Sequence, residues 1–184
     1  EWIGIDIDDS TAYVYSNTQQ AIYKINGTHT THLINLNSVK NLNHNQLAIV
    51  GTDNADVLAI PRIAGVDQII YSGGSGVDSY QIDFDIWKHY SKILIHNFDA
   101  ASTPEQDTLH LSVENQEHLI VYQENNDLAF CDIRNNRSVN ISGVFDGDNI
   151  ASRHLNIKLY QAGEPLLEQT IDALIHELSR YHSP

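Results

Sequence analysis

Apolar and polar positions alternate in short runs through most of the chain, separated by clusters of Gly, Asn, Asp and Ser. That is the period of strands closed by turns, not of helices. It predicts strands at Trp2–Asp8, Thr11–Tyr15, Ala21–Ile25 and His32–Leu36. Over 43–82 the runs shorten and begin to recur. Leu47–Ile49, Val57–Ile60, Gln68–Tyr71 and Ser79–Ile82 are led by Asn45, Asp56, Asp67 and Asp78, one leader every 11 residues. A fixed short interval predicts a solenoid, in which each coil stacks on the last. Further strands are expected at Tyr80–Trp87, Lys92–Phe98, Asp107–Leu111, Val139–Val144 and Leu155–Tyr160. A hairpin is expected over 118–133, with Leu119–Tyr122 paired to Leu128–Cys131. Only the tail changes period. Leu167, Ile171, Leu174, Ile175 and Leu178 recur at helical spacing behind Pro165, which predicts a helix over 165–181.

The turns between the recurrent strands carry the candidate chemistry. Residues 73–81 fill the nonapeptide G-G-x-G-x-D-x-U-x completely, with Gly73, Gly74, Gly76, Asp78 and Tyr80 as its large apolar residue. Residues 51–59 keep Gly51, Asp56 and Leu58, with Thr52 and Asn54 in place of two glycines. Residues 62–70 keep Gly65, Asp67 and Ile69. Glycine lets a tight turn reach φ > 0 and aim its carbonyls inward, and the Asp that ends each turn adds a charged oxygen. Calcium is a hard cation that takes about six to eight oxygens, so a single turn cannot fill its coordination sphere and two stacked turns must share it. The competing explanation is a run of ordinary β-turns, which also favour Gly, Asn and Asp.

On these residues the chain resembles the RTX, or haemolysin-type calcium-binding repeat, family of secreted bacterial proteins. A second match shares no residues with the first. Ile95, Phe98 and Asp99, followed by Asp107, Thr108, Leu109 and Leu111, are similar to the segment that follows calcium repeats in that family, which extends the resemblance to about residue 112. The resemblance implies a β-roll whose alternate repeats lie on the same side, pairing turn 51–56 with turn 73–78. It implies Ca²⁺ held by the side chains of Asp53, Asp56 and Asp78 and by carbonyls near Gly74 and Gly76, and a weaker or absent site at the opposite row, Asn45 and Asp67. The interval is 11 residues where the family's repeat has nine, so the expected roll is short and degenerate.

Composition narrows the function classes. The formal net charge of −14 argues against nucleic acid or an anionic membrane surface as partner, and suits a protein that gains stability by taking up divalent cations. One cysteine, Cys131, permits no internal disulfide, and with no basic residue beside it in sequence it reads as a small apolar residue pointing into the sheet. No stretch approaches the roughly twenty apolar residues of a membrane span, and no signal peptide is recognisable. The absence of Met and the start at Glu1 predict a piece of a longer protein.

Other constellations fail. The 10 histidines include no H-E-x-x-H pair, since His176-Glu177 is followed by His182 too late. No G-x-S-x-G elbow occurs, and Gly73-Gly74-Ser75-Gly76 precedes a strand where a phosphate loop would precede a helix. Asp6, Asp8 and Asp9 would suit a second cation site or a metal-sugar motif, and the run Asp146-Gly147-Asp148-Asn149 could hold an ion, but acids of a solvated strand face and a plain turn are the expectations. Trp87, Tyr90 and Tyr122 are candidate contacts, with burial in the core the expected fate.

The expected protein is mainly β, with a short degenerate parallel β-roll extended by further strands and a C-terminal amphipathic helix. Its regions are N-terminal strands at 1–42, the repeats at 43–82, post-repeat strands at 83–162 and the helix at 163–184, in one compact domain. The resemblance implies a non-enzymatic, secreted, calcium-binding module of a bacterial toxin or other exoprotein exported by type I secretion. Its expected partners are the rest of the parent toxin and a host-cell receptor or glycan. A carbohydrate- or receptor-binding adhesion domain with decayed calcium turns, and the C-terminal domain of a secreted protease or lipase, are the other expectations.

Overall fold

The computed structural model describes residues 2–7, 11–16, 21–26, 29–35, 38–43, 46–51, 54–59, 66–97, 106–147 and 153–181, with backbone pairing alone described up to residue 43. The chain is mainly β, with one C-terminal helix. Strands β1 (Trp2–Ile7), β2 (Thr11–Ser16), β3 (Ala21–Asn26) and β4 (His29–Asn35) make an antiparallel sheet in sequence order. β5 (Ser38–Asn43) pairs antiparallel with β6 (Gln46–Val50). β5 has no counterpart in the hydrophobic pattern, because Ser, Lys and Asn dominate it and these residues carry little strand preference.

From β6 to β11 successive strands go alternately to two sheets. β6, β8 (Gln68–Ser72), β10 (Lys92–His96) and β14 (Arg137–Ile141) are parallel neighbours in a seven-stranded sheet. β7 (Val57–Ala59), β9 (Ser79–Ile82), β11 (Asp107–Val113) and β15 (Leu155–Gln161) are parallel neighbours in a five-stranded one. Gln46 faces Gln68, and Val57 faces Ser79. Each offset is two of the eleven-residue intervals, so one interval carries the chain to the opposite sheet and two return it to the same one.

Inward residues therefore stack in rows. Leu47, Ile69, Ile93 and Val139 are register partners, as are Leu58, Tyr80, Leu109 and Ile157 in the other sheet. All eight are buried and belong to one core cluster drawn from both sheets. Fully burying a residue of this size stabilises by about 1.5–3 kcal/mol, so the rows contribute substantially to holding the sheets face to face.

β12 (Leu119–Glu124) and β13 (Asp127–Asp132) form the expected hairpin at one edge of the larger sheet. Leu128, Phe130 and Asp132 are buried on its inner face. Cys131 lies on the other face and is only partly buried, which corrects the inward placement expected for it: odd positions of this strand point away from the core.

Two predicted elements change type. The expected strand over Tyr80–Trp87 stops at Ile82, and Phe84–Trp87 forms a single helical turn, α1. Strict alternation would set Trp87 on the same face as Asp83 and Asp85. The helical turn carries it inside instead, where it is 2% exposed beside Tyr90 at 1%. The predicted helix over 165–181 begins only at Ile171. Residues Glu164–Thr170 form β16, an antiparallel edge strand on β15, and α2 runs Ile171–Tyr181. Ala162 and Gly163, at φ +51° and +85°, make the two-residue turn between β15 and β16. Pro165 is tolerated because β16 is an edge strand. In α2, Ile171 and Leu174 are buried, and Ile175 and Leu178 pack against the core.

Candidate metal centre

The row of turns leading into the five-stranded sheet is held by an aspartate ladder. Asp56, Asp78 and Asp107 each stand at the entry to a strand of that sheet, one coil apart. The Asp56 amide donates to Asp78 Oδ1 at 2.9 Å, and the Asp78 amide donates to Asp107 Oδ1 at 2.7 Å. Backbone bonds run alongside: Ser79 N–H to the Asp56 carbonyl at 2.8 Å and Thr108 N–H to the Asp78 carbonyl at 2.8 Å. Asp78 is 1% and Asp107 4% exposed, and a carboxylate this deep persists only where donors compensate its lost hydration. The ladder ends at Leu155, which is paired with Asp107.

Gly51 and residues 54–56 lie directly on turn 73–78. The Gly51 amide donates to the Ser72 carbonyl at 2.7 Å. A Cβ on Gly51 would stand 2.1 Å from the Gly73 carbonyl oxygen and 2.8 Å from Asp56 Oδ2. One on Gly73 would stand 2.0 Å from Asp78 Oδ2. One on Gly76 would strike the Asn54–Ala55 backbone at 2.6–2.8 Å, and Gly76 is also at φ +106°. Glycine is needed here because the coils touch backbone to backbone, and the space a side chain would take is lined by carboxylate and carbonyl oxygens.

Tyr80 closes the turn from below. Its hydroxyl accepts the Gly73 amide at 3.1 Å, and its ring meets Tyr71 edge-on with centroids 6.3 Å apart. Burial, then the Asp107 and Asp78 carboxylates, drives its ionisation far above the ordinary phenol range, against a smaller lowering from the Gly73 amide. The phenol therefore stays neutral.

The sequence-predicted ligands are divided by the structure. Asp56 and Asp78 are brought together, with Gly74 and Gly76 in the turn from β8 to β9 that Asp78 ends, both at positive φ. Asp53 and Asn45 lie outside the described residues. Asp67 belongs to the other row of turns. Its Oδ2 accepts the Ser91 hydroxyl at 2.7 Å, and its carbonyl accepts the Ser91 amide at 2.8 Å. Asp107 was not singled out as a site residue. Its signal was present in the Asp-Thr-Leu that opens β11, but the 29 residues separating it from Asp78 hide the register. Asp146 and Gly147 are exposed, and Asp148 and Asn149 lie outside the described residues.

Among the described residues no group of three or more His, Cys, Asp or Glu side chains is arranged to hold a metal. The donors gathered here are two carboxylates and backbone carbonyls, all oxygen, a set that fits a hard cation and not zinc. No helix among the described residues is long and apolar enough to cross a membrane. No family model matches the chain, and no curated protein matches it.

Proposed function

We propose that the chain is a calcium-dependent, non-enzymatic module of a secreted bacterial toxin or exoprotein, built on a short degenerate β-roll of the RTX kind. The observation that carries this reading is the contact of turn 51–56 with turn 73–78, in which Asp56 and Asp78 share a hydrogen bond across glycines that admit no side chain. The β-roll reading is supported by β6 to β9, which alternate between two sheets and pair in parallel at twice the sequence interval.

Asp56, Asp78 and carbonyls of the glycine turn are the groups that would hold the ion, with Asp53 as a further sequence candidate. A bound calcium would supply positive charge between carboxylates that otherwise repel one another. The chain's own part is to hold those carboxylates one coil apart. At −14, its charge opposes compaction until cations are supplied, so export as a loose chain and folding outside the cell belong to the same proposal.

The test is a calcium titration followed by circular dichroism and thermal unfolding. Stability should rise by about 1.4 kcal/mol for each tenfold increase in free calcium above the dissociation constant. An unfolding midpoint that is the same in chelator and in millimolar calcium overturns the reading.

A further inference from the structure

A groove of about 720 Å³ opens at the other end of the five-stranded sheet, where β9, β11 and β15 finish, away from the aspartate ladder at their entries. Tyr160 and His110 line it, with rings nearly parallel at 10° and centroids 6.0 Å apart. Gln81, Phe84, Asp83 and Glu114 line it as well. Asp85 is its third carboxylate, and no lysine or arginine is among the lining residues.

Charge and shape together select the ligand. One ring-and-carboxylate pair in the groove lining already holds an ammonium: Lys88 Nζ sits 5.7 Å from the Phe84 ring centre and pairs with Asp85. A second combination of the same kind, the Tyr160–His110 rings with Asp83 and Glu114, lines the groove itself. Lys158, on the same strand as Tyr160, is drawn to Glu168 at 2.8 Å. Burial, with Lys158 adding to it, holds the His110 imidazole below its usual pKa against a smaller rise from Glu168, so at neutral pH it is uncharged and does not repel a cation. An aromatic face attracts a cation through its quadrupole, and nearby carboxylates add a Coulomb term. Anionic sugars and phosphates would meet Asp83 and Glu114 instead.

We infer that this groove binds a small organic cation, a primary or quaternary ammonium seated against the Tyr160 ring and held by Asp83 and Glu114. The site stands independently of the calcium reading, because it shares no residue with the aspartate ladder.

The full chain, kept folded at fixed calcium and checked by circular dichroism, is titrated with choline chloride and followed by the ring resonances of Tyr160 and His110. Saturable shifts are expected, and the uncharged isostere 3,3-dimethylbutanol should bind about tenfold more weakly or worse. Tyr160→Leu should weaken choline by about fivefold or more. If that variant unfolds, the exposed pair Asp83→Asn and Glu114→Gln, which leaves the core untouched, should weaken it by a similar factor of about five and flatten its salt dependence. Equal binding of the isostere, an unaltered affinity in the double variant, or no saturation overturns the assignment. So does displacement of choline by a few millimolar extra calcium, which would make the groove a plain acidic surface.

Discussion

The two rows of turns start from the same sequence interval and end in different chemistry. Both are led by aspartate, at Asp56 and Asp78 on one side and Asp67 on the other. In the first row the Asp78 and Asp107 carboxylates turn inward and accept the amides of Asp56 and Asp78, over glycines packed backbone to backbone. In the second, the coil after Asp67 offers a serine: Ser91 ties itself to Asp67 through both backbone and side chain, and the connection is filled by α1 with Trp87 and Tyr90 buried. One row gathers oxygens around a small space, while the other has spent its carboxylate on a hydroxyl and its volume on aromatic rings. An evenly spaced aspartate is therefore insufficient to define a cation site. The glycines ahead of it and the residue one coil away decide.

Several substitutions can break this contrast, and the largest effect should come from the glycines. Gly76→Ala meets both a backbone clash and a positive φ, and should cost about 3 kcal/mol in chemical denaturation. Gly163→Ala, at φ +85° with open space around it, should cost only about 1 kcal/mol. Equal costs would remove the argument that stacked backbones make the first row special. Next in size, Asp78→Asn should shift the calcium midpoint of folding by on the order of tenfold, while Asp67→Asn leaves it in place. A shift of the same size in both variants would mean that the rows do not differ in ion binding.

Tyr80→Phe removes the acceptor from the buried Gly73 amide, and Ser91→Ala removes the donor to Asp67. Each should lower stability by about 1 kcal/mol, the first making the calcium response shallower and the second leaving it unchanged.

The smallest effect concerns pH. Hydrogen bonds from Lys92, then Asn140, hold the Glu124 carboxyl below its usual range on the outer face of the larger sheet. A depressed folded pKa means that the contribution is complete above the unfolded value of about 4.3 and is lost as pH falls through the folded one. Glu124 and Lys92 side chains are 38% and 37% exposed, so screening limits the contribution to under about 1 kcal/mol. Glu124→Gln should accordingly lower the neutral plateau by under about 1 kcal/mol and leave stability below the folded pKa unchanged, which flattens the acid limb slightly. A change at pH 7 larger than that would assign the residue a packing role.

Much of the architecture was legible along the chain because strand periodicity is a local property. The four recurrent strands fall where alternation put them, and the hairpin at 118–133 forms around Asn125, whose φ of +56° suits asparagine. What was misread involves competition that alternation cannot express. Trp87 forces a helical turn because a large ring gains more from burial than a strand gains from one more pair. Leu167 belongs to the helical spacing of the tail, yet the turn at Ala162–Gly163 folds it back to face Leu159 in a strand. For the candidate site, Asp56, Asp78 and the glycines were readable from the nonapeptide, and Asp107 was not.

Taken alone, the sequence determined the interval between strands, the glycines that permit the coils to touch, and the excess of negative charge, since each depends on residues near one another along the chain or on simple composition. Only the tertiary structure decided which aspartates meet, because a hydrogen bond between Asp78 and Asp107 depends on sheet register across a variable loop. The same holds for the groove beside Tyr160, whose rings come from two strands and whose carboxylates come from the segments that follow β9 and β11, so that they acquire a common face only once the sheet is assembled.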